Sequence, residues 1–68
     1  MSKELPFMIL CVEEYKIQKE MSGKDVMELF NKYSVLEYIK EFYEVLHTTG
    51  IRYIVNDIDL YISSRQTS

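Results

Sequence analysis

The chain has 68 residues, of which 47% are hydrophobic and 28% are charged, with one proline and two glycines. This composition predicts one small domain with a packed core, and it excludes low-complexity, collagen-like and acidic disordered chains. The net charge of −3 comes from eight Lys and Arg against eleven Asp and Glu. This balance counts against DNA or RNA as the main partner, because nucleic-acid affinity rests largely on neutralising phosphates.

A single cysteine, Cys11, cannot form a disulfide within the chain, whereas small secreted domains usually carry several. We therefore expect a reducing, cytoplasmic setting. The apolar run LPFMILCV, residues 5–12, is too short to span a bilayer and lacks the cleavage site of a signal peptide, so we expect neither a membrane segment nor processing. The polar tail, residues 64–68, has no apolar side chain to bury, and the sequence predicts that it frays.

The first predicted helix covers about residues 5–20 and opens near Pro6, whose fixed φ and missing N–H suit the first turn of a helix. Its front half is apolar almost all round, which is typical of a central helix or of one that faces a partner. A buried strand over residues 5–12 is the alternative, because period alone does not separate a short buried strand from a helix. The helix-forming sequence EEYKIQKE, which follows without a break, favours the helix.

Two further helices are predicted from serine caps. Ser22 is followed three residues later by Asp25, and Ser34 is followed by a glutamate at the same spacing. This spacing satisfies free N–H groups at the start of a helix and places a carboxylate near its positive end. The helices that follow cover about residues 23–33 and 35–47, and each has its apolar side chains along one face.

After Gly50 the apolar residues repeat at intervals of three and four, which predicts a last helix over about residues 51–63. The segment is rich in β-branched residues and alternates over residues 54–62, so a strand is the alternative there. A lone strand would have no pairing partner in this chain, and this favours the helix. The predicted fold class is therefore all-α, a compact bundle of four short helices in a single domain, residues 1–68.

The only histidine of the chain follows a glutamate at helical spacing, in Glu44-x-x-His47. Ferritin-like di-iron proteins present ligands in this way, but they need two such pairs and two further carboxylates. On a helical wheel Glu44 lies on the polar face and His47 at its rim, so the pair points partly into solvent. We interpret His47 as a residue of a helix end, and a metal site formed by dimerisation around Glu44 and His47 is an alternative.

No other pattern in the sequence predicts catalysis. Cys11 lies in the most apolar segment of the chain, where a thiol is usually buried and inert. The sequence has no glycine-rich phosphate loop, no cysteine and histidine spacing for zinc, and no acidic calcium loop. We therefore expect no enzymatic activity, no cofactor and no bound metal.

Tyrosine occurs six times in the chain. The apolar faces of the predicted helices do not accommodate all six rings, and three of them fall at edges or on outer faces. Tyrosine is enriched at protein interfaces, although such rings are also common at the boundary of a core. The interaction surface predicted from the sequence comprises Tyr38, Glu41, Glu44, His47, Tyr53 and Tyr61.

A helix-turn-helix DNA-binding regulator is an alternative function, because the sequence FNKYSVLEY joins two short predicted helices. The second helix would have to enter the major groove, between two rows of phosphates. Its exposed face carries three carboxylates and one lysine, and repulsion from the phosphates would oppose docking. The residues of that face are Glu37, Lys40, Glu41 and Glu44.

A set of short motifs runs through residues 29–62. The motifs are Leu29-Phe30-x-Lys32-Tyr33-x-Val35, Tyr38, Glu41, Tyr43, Leu46-His47-Thr48-x-Gly50, Asp57-Ile58 and Tyr61-Ile62. Together they resemble a family of short bacterial proteins with a domain of unknown function. The resemblance covers about residues 8–65, and LHTxG is its most specific element. Ser34 stands where the family pattern has glycine, and serine is itself a good helix cap.

The resemblance implies no established activity and assigns no catalytic residue. Members of the family tend to be encoded beside small proteins that resemble ADP-ribosyltransferases, which implies an accessory or toxin-neutralising role. The combined prediction is a small protein-interaction module without catalysis of its own, which either self-associates or binds a partner protein.

Overall fold

The computed structural model describes residues 3–66, and these residues form five α-helices and no strand. The helices are α1 (Glu4–Lys19), α2 (Gly23–Lys32), α3 (Val35–Glu41), α4 (Tyr43–Thr49) and α5 (Ile51–Gln66). The prediction of a compact, all-α fold is confirmed, and both segments for which a strand was the alternative are helical. The prediction of four helices is wrong, because the segment expected to form one helix forms α3 and α4.

The break between α3 and α4 lies at Phe42, whose φ of −103° and ψ of 23° leave the helical range. Hydrogen bonds continue through it, because the N–H of Phe42 donates to Tyr38 O at 3.0 Å and the N–H of Leu46 donates to Phe42 O at 2.8 Å. Neither proline nor glycine lies there, so the usual local causes of a break are missing. Packing supplies the reason: α3 lies against α1, α2 and α5, whereas α4 packs mainly against α3 and α5 and meets α1 through Tyr43 and Phe7.

The boundaries of the first and last helices differ slightly from the prediction. α1 ends at Lys19 because Glu20 adopts a left-handed conformation, with φ 53° and ψ 46°. The N–H of Met21 then donates to Lys16 O at 3.0 Å, closing a turn of the kind that usually ends in glycine. α5 continues to Gln66, three residues beyond the predicted end. Fraying was predicted for residues 64–68. Residues 64–66 belong to α5, and residues 67–68 lie outside the described residues.

Only one of the two predicted serine caps forms. The N–H of Asp25 donates to Ser22 Oγ at 3.1 Å, as the spacing predicted for the start of α2. Ser34 instead adopts a left-handed conformation, with φ 56° and ψ 40°, and its side chain makes no capping hydrogen bond. The predicted Ser34 cap is wrong because the sharp corner between α2 and α3 requires this backbone conformation, which glycine adopts most easily.

The core lies where α1, α2, α3 and α5 meet, and α4 contributes one buried side chain, Leu46. The buried side chains are Cys11, Tyr15, Val26, Phe30, Val35, Ile39, Leu46, Ile54, Val55, Ile58 and Ile62. The ring of Tyr15 packs edge-to-face with that of Phe30, with centroids 5.2 Å apart. Its hydroxyl donates to Asp59 Oδ1 at 2.6 Å, and Lys19 pairs with the same carboxylate. These contacts tie the end of α1 to the middle of α5.

The side of α1 that faces away from the core is exposed and still apolar. Four aliphatic side chains on α1 are more than half exposed: Leu5 (58%), Ile9 (55%), Leu10 (56%) and Ile17 (68%). This face explains why the sequence of α1 is apolar almost all round, since one stripe serves the core and another faces solvent. None of the helices within residues 3–66 combines the length and apolar character needed to cross a membrane.

Candidate interaction surface

The structure stacks two of the predicted surface residues against each other. The rings of Tyr38 on α3 and Tyr61 on α5 lie 4.2 Å apart with an angle of 15° between their planes. The Tyr61 hydroxyl donates to Tyr33 O, at the end of α2, at 2.9 Å. Partial burial, followed by the nearby Asp57 and Tyr61, raises the pKa of Tyr38. The pair therefore joins three helices, which is a structural role at the core boundary.

His47 lies at the end of α4 and stacks on Tyr43, with ring centroids 4.5 Å apart. Its Nδ1 is 2.8 Å from Tyr43 O, and a carbonyl oxygen only accepts, so Nδ1 carries the proton of this hydrogen bond. Tyr43 in turn packs edge-to-face with Phe7 on α1, with ring centroids 5.4 Å apart. The imidazole is thus turned toward the backbone of its own helix while the residue stays exposed.

The other predicted surface residues lie apart from the stacked tyrosines. Tyr53 is 64% exposed in the first turns of α5. It precedes Tyr61 by eight residues, which corresponds to about 12 Å along a helix axis. Glu41 and Glu44 are exposed on either side of the break at Phe42. The six residues predicted from the sequence therefore do not converge on one concave site.

The geometry bears on both alternative functions, the metal site formed by dimerisation and the helix-turn-helix regulator. Within residues 3–66, no group of three or more His, Cys, Asp and Glu side chains is arranged to hold a metal ion. A metal site at Glu44 and His47 would therefore need ligands from a second copy. α3, the helix that would enter the major groove of DNA, has seven residues. Its exposed charged residues are Glu37, Lys40 and Glu41. Both alternatives stay predictions.

The single thiol of the chain, Cys11, lies in the core. Cys11 has no solvent exposure on the inner side of α1. Burial raises the pKa of the Cys11 thiol from 9.0 to about 12, so the thiolate is scarce at neutral pH. A nucleophilic role for this side chain has no support in its surroundings.

An apolar groove runs along α1 where α2 and α3 pack beside it, and we call it the α1 groove. It is lined by Leu5, Met8, Ile9, Val12, Glu13, Met27 and Leu36, and its volume is about 250 Å³. Five of these residues come from two turns of α1, whereas Met27 and Leu36 come from α2 and α3. The apolar sequence of α1 indicated a central helix or one that faces a partner, but it offered no signal that joins α1 to Met27 and Leu36.

A family model described as a protein of unknown function, DUF3791, matches residues 6–65. The chain belongs to this family. No curated protein and no solved structure matches the chain. The match begins in the first turn of α1 and ends in the last turn of α5. The DUF3791 domain therefore includes all five helices of residues 3–66. The description assigns no activity to the family.

Proposed function

We propose that this DUF3791 protein is a small protein-interaction module without catalysis of its own, and that the α1 groove is its binding surface. The observation that carries the proposal is the apolar lining of the groove, in which Leu5 and Ile9 on α1 are more than half exposed. Exposed apolar grooves of this kind mark interaction sites in soluble proteins. The surface is concave because Met27 and Leu36 form walls beside α1.

The exposed aliphatic side chains of the groove favour binding of a partner. Fully burying an aliphatic side chain contributes about 1.5–3 kcal/mol, and two side chains that line the groove, Leu5 and Ile9, are more than half exposed. Association and side-chain ordering oppose this gain, so a polar rim has to contribute to the affinity as well.

The finer proposal is that the partner is a neighbouring ADP-ribosyltransferase-like protein, for which this chain acts as the accessory or neutralising protein. Its support is the resemblance of the motifs in residues 29–62 to a family with that gene neighbourhood.

Co-expression with the product of the neighbouring gene tests the proposal. The tagged wild-type chain should retain the partner on an affinity column, and Ile9→Glu should lose it because a carboxylate then enters the groove. Leu60→Glu, which places the same charge at another exposed aliphatic position, should retain the partner. Equal retention by all three chains, or retention by none, would refute the groove as the binding surface for that partner.

A further inference from the structure

The rim of the α1 groove carries more lysines than carboxylates, although the whole chain has a net charge of −3. Lys16, Lys24 and Lys40 each lie three or four residues from a groove-lining residue of the same helix. Side chains at this spacing share one face of a helix, so each of the three walls carries a lysine. The Lys16 side chain also reaches the start of α2, because a Cβ atom placed on Gly23 would lie 3.7 Å from Lys16 Cδ.

The carboxylates are fewer at this rim. Glu13 lines the groove, and its Oε2 lies 3.5 Å from Lys16 Nζ. Glu28 and Glu37 each follow a groove residue by one position, so their side chains point about 100° away from it. Glu4 lies four residues before Met8, so by the same spacing it also borders the groove. Three lysines therefore border the groove against two carboxylates, one of which, Glu13, lies beside Lys16.

We infer that the occupant of the α1 groove is an amphipathic helix of a partner protein, which presents two neighbouring large aliphatic side chains bordered by carboxylates. This inference rests on the proposed function and names its ligand class. A cavity of about 150 Å³ accommodates a benzene ring, so the volume of about 250 Å³ has room for two aliphatic side chains. Two turns of α1 form the long wall, which matches anchors three or four residues apart on a docked helix.

The same charges argue against a second copy of this chain as the occupant. In a two-fold symmetric dimer the same surface meets itself, so the rim with Lys16, Lys24 and Lys40 would face an identical rim. Like charges held opposite each other oppose association and suppress wrong partners. A partner helix with carboxylates beside its apolar stripe reverses this effect.

Fluorescence anisotropy with three labelled peptides, each about 15 residues long, tests the inference. The first has leucines at helical spacing and glutamates elsewhere, the second has lysines in place of the glutamates, and the third is the first with its leucines replaced by serine. At ~50 mM salt the acidic leucine peptide should bind about tenfold more tightly than the lysine peptide, although the net charge of the chain favours the opposite order. The serine peptide should not bind.

Variants locate the effect. Lys40→Glu should weaken binding of the acidic leucine peptide about fivefold, because one rim charge is reversed. Arg52→Glu makes the same change in net charge at an exposed position on α5 and should leave the affinity unchanged. Ile9→Glu should abolish binding and Leu60→Glu should not, and circular dichroism should show that each variant keeps its helices.

The possible outcomes separate the inference from the proposed function. Equal or tighter binding of the lysine peptide, combined with loss in Ile9→Glu, overturns the inference and leaves the groove as a binding surface. Binding that Ile9→Glu does not change overturns the inference, and so does the absence of binding by any peptide. In both cases the groove loses the support that peptide binding would have given it, and the co-expression experiment alone decides the proposed function. A dimer in light scattering that Ile9→Glu converts to a monomer would make a second copy the occupant and overturn the inference.

Discussion

At the scale of single residues, the backbone at two corners departs from what the side chains favour. Glu20 and Ser34 both have positive φ, and neither is glycine. A left-handed conformation costs a non-glycine residue about 1–2 kcal/mol, so both corners are held by the packing of the helices they join. Ser34 shows this most clearly, because its sequence context predicts an N-cap that the side chain does not make.

Ser34→Gly should raise the free energy of unfolding by about 0.5–1 kcal/mol. Relief of the positive φ outweighs the larger entropy that glycine gives to the unfolded chain. Ser22→Ala should instead lower the free energy of unfolding by about 1 kcal/mol, because Ser22 makes a real capping hydrogen bond. Urea unfolding measures both variants, and a loss of stability in Ser34→Gly would show that the side chain matters more than the backbone conformation.

Burial of Cys11 should make the protein less stable at alkaline pH. The pKa of its thiol is raised from 9.0 to about 12 in the folded chain, so the folded state holds the proton more tightly than the unfolded state. The resulting stability is fully present below pH 9 and is lost as the pH rises from about 9 toward 12. Thermal unfolding between pH 7 and about 10.5 should show this decline, and Cys11→Ala should show a shallower one.

At the scale of the helices, hydrogen bonds and ring contacts between them decide how they are joined. The hydroxyl of Tyr61 bonds the carbonyl that ends α2, and its ring stacks on α3 through Tyr38. The break at Phe42 belongs to this scale too, since it separates two segments with different packing neighbours. Local periodicity predicted an unbroken helix there because both segments keep helical spacing.

Tyr61→Phe should lower the free energy of unfolding by about 1 kcal/mol, because the carbonyl of Tyr33 loses its hydroxyl donor while the ring stack remains. Tyr53→Phe removes a hydroxyl from a ring that is 64% exposed and should change stability by less than about 0.3 kcal/mol. Chemical denaturation of both variants gives the comparison. Equal effects would contradict the role assigned to the Tyr61 hydroxyl.

At the scale of the whole molecule, one small core supports the five helices of residues 3–66, and the radius of gyration is 11.2 Å. A domain of this size buries only about 60% of its unfolded surface, so its stability is low and core changes are severe. The outer face of α1 lies outside this core. We therefore expect substitutions of its side chains to affect binding more than stability.

Ile58→Ala should lower the free energy of unfolding by about 3 kcal/mol, because Ile58 is fully buried and the change leaves a cavity. Ile9→Glu should change it by less than about 0.5 kcal/mol, because Ile9 is 55% exposed. Thermal melts followed by circular dichroism distinguish the two. A large loss in Ile9→Glu would indicate that α1 depends on its outer face for folding, and the binding experiments would then need a milder substitution such as Ile9→Gln.

The all-α class, the approximate extent of α1, α2 and α5, and the Ser22 cap follow from the amino-acid order alone, because each depends on periodicity or on residues three apart. The same local rules predicted that α1 has more apolar surface than one core contact requires. They could not predict the break at Phe42, the left-handed Ser34 or the stacking of Tyr38 on Tyr61. Each of these depends on which helices become neighbours.

The α1 groove depends on the tertiary structure in the same way. Its walls join Ile9, Met27 and Leu36, which are separated by 18 and 9 positions along the chain. The charge of its rim is opposite in sign to the net charge of the chain, so composition pointed away from it. Only packing brings three lysines from three helices to the border of one apolar surface, because spacing within a helix carries no information about its neighbours.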